Sequence, residues 1–187
     1  MRPILAILMA LAPLSAQVER PVSAAARVSG TRQTAPARVT LASLATLARG
    51  FDRDLRMFAV TDPIDVLGDT RGIYLDGFGA VFTTELSPIY TPGLSPFQPK
   101  ISDQDKEKVR QRKLARLPVV ERLVNSMLQS AAKELAAVPE DQQIVVAVNF
   151  VYLPYEDTTG LPGQMVVKAS RRAILTGTEI QATVTNQ

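Results

Sequence analysis

Residues 143–153 (QIVVAVNFVYL) constrain the fold of this chain most, because the stretch is apolar almost throughout and carries no charge. A strand with one face in water alternates apolar and polar residues, whereas a strand buried on both faces is apolar at nearly every position. We therefore predict that this stretch forms a central strand that is covered on both faces.

Turn signals place two β-hairpins around this strand. Asp76-Gly77 separates two β-prone runs, and Asp-Gly in that setting favours a tight hairpin turn with positive φ angles. Residues 156–163 (EDTTGLPG) form a second turn, so residues 165–169 are predicted to return beside the central strand. Residues 178–185 alternate weakly and are predicted to form an edge strand or a tail.

Helices are predicted from capping residues and from apolar residues that recur every three or four positions. Thr40 is a candidate N-cap for a first helix, whose apolar pattern continues to Phe58. Ser102 is the candidate N-cap of a long second helix that Pro118 interrupts, so we expect a kink or two helices placed end to end. Ser170 is a candidate cap for one short helical turn.

The order of elements is therefore helix, hairpin, helix, hairpin. Such an order favours an antiparallel sheet with its helices on one face. The predicted fold class is a two-layer α+β domain, with an antiparallel sheet from two hairpins packed on two or three helices.

The N-terminus has the features of an export signal. Arg2 precedes an uncharged apolar run, residues 4–14, which would cover only about 16 Å as a helix and is too short to span a bilayer. We predict a signal peptide over residues 1–16, a disordered Ala/Pro/Arg-rich linker over 17–39 and a single α+β domain over 40–187. We expect a periplasmic or secreted protein with no transmembrane segment in its mature part.

The sequence contains neither histidine nor cysteine. Their absence excludes Ser-His-Asp and Cys-His catalysis, thiol chemistry, disulfides, and metal or haem sites that need these ligands. Asp103, Asp105 and Glu107 resemble the start of a calcium loop, but Lys108 stands where the loop needs glycine. We therefore expect no cofactor and no metal.

Two other functions stay open. A hydrolase of carboxylate or Ser/Lys type would use Ser130 with Lys133, or would bring together two of Asp76, Glu85, Glu156 and Lys133 in a pocket. A small-ligand carrier would need an apolar cavity between the helices and the sheet.

Candidate binding residues lie in the second helix and in the second turn. The helix carries five positive charges without an intervening acid, and the turn carries two adjacent acids. The first pattern is also explained by a helix face that is exposed to solvent, and the second by a turn whose acidic side chains bond to its own backbone. As candidate binding residues we single out Lys108, Arg110, Arg112, Lys113, Arg116, Glu156 and Asp157.

Residues 72–83 (GIYLDGFGAVFT) and 156–162 (EDTTGLP) resemble segments of uncharacterised exported bacterial proteins of similar length. The resemblance implies export and a single domain, and it brings no functional residues with it. The leading hypothesis is a non-enzymatic exported domain that acts by binding or in envelope assembly. Its expected partner is another envelope protein or an anionic surface. A net charge of only +3 gives no indication of nucleic acid.

Overall fold

A computed structural model describes residues 38–58, 63–91, 100–178 and 180–186. These residues belong to one compact unit. The predicted signal peptide and its cleavage site lie outside the described residues, as does the predicted linker apart from Arg38 and Val39.

The first helix, α1 (Leu41–Met57), begins where its cap predicts. The Thr40 hydroxyl accepts a hydrogen bond from the Ser43 backbone N–H at 3.1 Å, and the Ser43 hydroxyl accepts one from the Thr40 N–H at 3.2 Å. This reciprocal pair satisfies two backbone donors that the helix itself leaves unpaired. Its apolar face, which includes Leu44, Phe51 and Leu55, is buried.

Six strands form one mixed sheet: β1 (Asp65–Val66), β2 (Arg71–Leu75), β3 (Gly79–Ser87), β4 (Gln143–Phe150), β5 (Pro162–Ser170) and β6 (Gln181–Asn186). Both β1 and β2 pair with β3 along one edge, and the order then continues through β4 and β5 to β6. Both predicted hairpins, β2–β3 and β4–β5, are present, and the C-terminal residues form an edge strand rather than a tail.

The sheet is mostly antiparallel, as predicted, but its two hairpins join through a parallel pair, β3 and β4. The second helix, α2 (Asp103–Glu134), connects these two strands. This long helical connection carries the chain back to the end of the sheet at which β3 begins, so β4 runs parallel to β3.

The helix α2 is continuous through Pro118, so the split into two helices that the sequence suggested does not occur. The Pro118 ring lies on the exposed side of the helix, while Val120 and Val124 beyond it are fully buried. Packing of this apolar stripe holds the segment helical where local preference alone would break it. Ser102 caps the helix, accepting from the Asp105 N–H at 3.1 Å.

The core lies between the helices and one face of the sheet. It is a contiguous cluster to which β3 contributes Phe82, β4 contributes Val146 and β5 contributes Val167. The short helix α3 (Arg171–Thr176) adds Ile174, and Ser170 caps it as predicted. The two-layer α+β arrangement is therefore confirmed.

The opposite face of the sheet carries no helix among the described elements. Val145 and Ala147 of the central strand β4 point to this open face and are still only 7% and 8% exposed. Their cross-strand partners are Val81 and Lys168 for Val145, and Thr83 and Val166 for Ala147. Such partners stand about 5 Å apart, close enough to cover shorter side chains. The prediction that this strand is buried is confirmed, although no described helix covers its second face.

None of the helices in the described part of the chain is long and apolar enough to cross a membrane.

Candidate functional site

Two groups of polar residues are candidates for a functional site. The first group joins both sets of binding residues that the sequence singles out, and it lies between α2 and the β4–β5 loop. The second group lines a recess on the open face of the sheet.

Lys113 and Glu156 form a buried ion pair at the centre of the first group. The Lys113 Nζ atom donates to Glu156 Oε2 at 2.5 Å, and the two side chains are 1% and 2% exposed. The ammonium also lies 4.9 Å from the centre of the Tyr152 ring, within the range of a cation–π contact. Burial, and after it the negative charge of Glu156, raises the pKa of Tyr152.

Arg110 extends this contact to the loop surface. Its guanidinium donates two hydrogen bonds to the Glu107 carboxylate, at 2.8 and 2.7 Å, and a third to the Thr159 carbonyl at 3.1 Å. The same guanidinium lies 3.5 Å from Asp157 Oδ2. Hydrogen bonds from Arg110 lower the pKa of Glu107, and those from Thr159 lower the pKa of Asp157.

The other three basic residues of the predicted surface also have partners. Lys108 Nζ lies 3.3 Å from Asp105 Oδ1 within the same helix. The Arg116 guanidinium lies 5.8 Å from the centre of the Phe58 ring, and Arg112 is also engaged in an interaction. Two of the predicted basic residues, Arg110 and Lys113, therefore contact the two predicted acids, Asp157 and Glu156. We name Lys113, Arg110, Glu107, Glu156 and Asp157 the α2–loop cluster.

The α2–loop cluster works as a cross-link that fixes the β4–β5 loop on α2. Its charges are directed at one another, which leaves little uncompensated field for an anionic partner. From the sequence alone, Lys113 is one of five basic residues on a helix face expected to be exposed to solvent. A signal for its burial was present, because Lys113 lies seven positions before Val120 and so continues the apolar stripe of α2.

The second group exists because the edge strand of the sheet is interrupted. After β1 the Leu67 N–H still donates to the Glu85 carbonyl at 3.0 Å, but regular pairing with β3 resumes only at Arg71, so residues 67–70 make a detour. Asp52 of α1 holds this detour, because its Oδ1 accepts from the Thr70 N–H at 2.9 Å and from the Thr70 hydroxyl at 2.5 Å. The detour opens a recess beside Glu85.

This recess, which we call the sheet recess, has a volume of about 270 Å³. Thr83 and Glu85 of β3 and Asn149 of β4 lie side by side on its floor, because Glu85 and Asn149 are partners in the parallel register. Arg71 flanks the floor, directly opposite Thr83. Gly68 and Asp69 of the detour form the rim.

Charges in the sheet recess are held apart. Within the described ranges, neither Arg71 nor Glu85 forms an ion pair, with each other or with a third residue, although both line the same recess. Asp69 on the rim does have a partner, since its Oδ1 lies 3.5 Å from Arg56 Nη2. Asn149 Oδ1 accepts from Gln164 Nε2 at 2.8 Å, which leaves the Asn149 NH₂ group able to donate.

The acids and the lysine considered for a hydrolase lie on different elements. Asp76 is exposed in the β2–β3 turn, Glu85 lies in the sheet recess and Glu156 is buried against Lys113. Lys133 is exposed in the last turn of α2, and no hydrogen bond joins it to Ser130 in the part of the chain that is described.

No cluster of three or more metal-ligating side chains occurs within the described residues. Comparison of the chain with protein-family models, with curated proteins and with solved structures finds no match.

Proposed function

We propose that this chain is an exported, non-enzymatic binding domain and that the sheet recess is its ligand site. The observation that supports it most is that Arg71 and Glu85, which form no ion pair within the described ranges, line one recess on a face that carries none of the described helices. Concave surfaces with a few convergent polar groups are where proteins hold small ligands. Of the two candidate groups, the sheet recess is the one with charges of both signs that form no ion pair within the described ranges.

The geometry gives less support to the alternatives. A carrier with a cavity between the layers is opposed by the contiguous core, in which Phe82, Val124 and Val146 are fully buried. A hydrolase needs a nucleophile beside a base, and Ser130 and Lys133 have no such contact in the described structure. An anionic partner at the basic residues of α2 stays a prediction, although their pairing within the α2–loop cluster makes it less favourable.

Binding is tested by titrating the purified, ¹⁵N-labelled protein with a panel of small polar solutes: carboxylates, amines, sugars and amino acids. We expect amide shifts to concentrate at residues 67–71, 83–85 and 149. Arg71→Gln or Glu85→Gln should remove them. The matched control is Lys168→Gln, an exposed change on the same face, two strands away from Glu85. Shifts that occur elsewhere, or with none of the solutes, would reject the sheet recess as the site.

Export rests on Arg2 and on the apolar run that follows it. Residues 1–16 joined to a reporter enzyme that needs disulfides should give activity, because disulfides form outside the reducing cytoplasm. Leu8→Arg in the same fusion should abolish it, since a charge interrupts the apolar run. An inactive fusion with the natural residues, or an active Leu8→Arg fusion, would contradict export.

A further inference from the structure

We propose that the ligand of the sheet recess is a compact zwitterion, of the class of α-amino acids with small side chains. The inference rests on the proposed function and specifies its ligand. It follows from the charges, donors and size of the recess.

The charge balance of the sheet recess favours a ligand with both charges and no net charge. Arg71 contributes one positive charge and Glu85 one negative charge. The third ionic group, Asp69, is compensated by Arg56 on the rim. A simple anion would meet Glu85 as well as Arg71, and a simple cation would meet Arg71 as well as Glu85. Each would lose by repulsion part of what it gains.

The positions of Arg71 and Glu85 suit the carboxylate and the ammonium of one small molecule held between them. Arg71 faces Thr83 across the β2–β3 pair, and Glu85 lies two residues further along β3 on the same face. Such diagonal neighbours are about 7–8 Å apart at their Cα atoms. A ligand carboxylate can accept two parallel hydrogen bonds from the Arg71 guanidinium, while a ligand ammonium donates to Glu85.

Neutral groups in the sheet recess complete this recognition. Asn149 lies beside Glu85, and its Oδ1, which accepts from Gln164 Nε2, has a second lone pair that can accept from the ligand ammonium. Thr83 presents an exposed hydroxyl between the two charged groups, and a hydroxyl both donates and accepts. The ligand ammonium and carboxylate therefore each find a second partner besides the charged side chain.

The size of the sheet recess sets an upper limit on the ligand. A volume of about 270 Å³ corresponds to roughly nine water molecules at about 30 Å³ each. This volume accommodates a small amino acid, and an aromatic ring would find no apolar side chain to pack against, because every lining residue is polar or glycine.

Direct pairing of Arg71 with Glu85 does not compete strongly with such a ligand. Both side chains belong to exposed residues, and an ion pair between exposed groups stabilises a protein by at most about 1 kcal/mol. A ligand that supplies two charge-assisted contacts at once therefore has little internal pairing to compete with.

The test compares alanine with propionate, which lacks the ammonium, and with ethylamine, which lacks the carboxylate. Each is titrated into the purified full-length protein, and the amide shifts are measured. We expect alanine to bind at least ten-fold more tightly than either half, and more tightly than phenylalanine. In Arg71→Gln the affinity for alanine should fall to that for ethylamine. In Glu85→Gln it should fall to that for propionate, while Lys168→Gln should bind as the parent does.

The outcomes separate the two proposals. If propionate or ethylamine binds the sheet recess as tightly as alanine does, the zwitterion is rejected and the binding site stands. The same conclusion holds if only a sugar shifts these residues. If no solute shifts them, both proposals fail. Arg71 and Glu85 lie at exposed positions, so we expect both variants to fold. The dispersion of each variant's amide spectrum distinguishes loss of binding from loss of fold.

Discussion

Lys113 and Glu156 lie 43 positions apart in the sequence, yet their side chains form an ion pair that solvent barely reaches. The pair connects the N-terminal half of α2 to the β4–β5 loop. Taking two charges out of water is costly, and their attraction offsets that cost only while both partners are present. The effect of removing one partner therefore differs from that of removing both.

Lys113→Met is expected to lower the free energy of unfolding by about 3–5 kcal/mol, because it leaves the Glu156 charge buried and alone. Lys113→Met combined with Glu156→Leu should recover most of this loss. Urea denaturation of both variants measures the difference. Lys108→Met is the control on the same helix, since Lys108 is well exposed. A double variant as unstable as the single one would show that the pair itself is a net source of stability.

Asp52→Ala is expected to destabilise the protein by about 1.5–3 kcal/mol, because the Thr70 N–H and hydroxyl lose their charged acceptor. Faster hydrogen exchange of the Thr70 amide should accompany the loss. Asp54→Ala is the matched control, since Asp54 is 55% exposed and has only a surface contact to Arg53. Equal effects of the two substitutions would mean that Asp52 does not anchor the detour at residues 67–70.

Gly79→Ala is expected to cost about 3 kcal/mol or more, because an added Cβ would overlap the Gln143 carbonyl at the start of β4. Its φ of +133° adds strain for any other residue. Gly77→Ala is the control, since Gly77 also has a positive φ, +76°, but has open space around it. We expect about 1 kcal/mol there. Thermal unfolding of the two variants separates backbone strain from the clash; similar losses would contradict the close contact.

Stability is expected to fall as the pH drops below about 4.5. The Arg110 contacts hold the pKa of Glu107 below its ordinary value of 4.5, and the Thr159 hydrogen bonds hold that of Asp157 below 3.8. A lowered pKa in the folded state adds stability that is complete above the unfolded-state value. That stability is lost as the pH falls through the folded-state value.

Urea midpoints between pH 7 and pH 3 measure this dependence, and Arg110→Gln should make it shallower, chiefly by releasing Glu107. Added salt should reduce the difference between the parent and the variant, because these groups are near solvent. Identical pH profiles for the two proteins would show that Arg110 does not stabilise these carboxylates.

Local sequence signals predicted the elements well. Thr40, Ser102 and Ser170 each cap the helix that they were expected to start. Such caps depend on neighbours within three or four positions, which a sequence displays directly. The Asp76-Gly77 hairpin was found for the same reason, although the structure closes it with a three-residue loop that includes Phe78.

The sheet recess could not be predicted from the same signals. Glu85 and Asn149 become neighbours only through the parallel pairing of β3 with β4, and no local sequence pattern predicts that pairing. The sequence pattern indicates Glu85 only as one of several acids, and it does not single out Arg71. The position of Asp52 did carry a signal, because a carboxylate four residues after Ala48 lies on the apolar face of α1.

The parallel pair at the centre of the sheet also affects how the chain reaches its fold. Gly79 and Gln143 are partners across the whole of α2, so the loop that their pairing closes is long. Contacts of such separation slow folding, because the chain loses its freedom before the contacts stabilise it. The β2–β3 hairpin forms from local contacts and can pack on α1 through Phe82 and Phe51, but α2, which contains Pro118, gains its packing on the sheet only when β4 pairs with β3. The protein should therefore acquire its core late and in one cooperative step, with β4 as the piece that completes it.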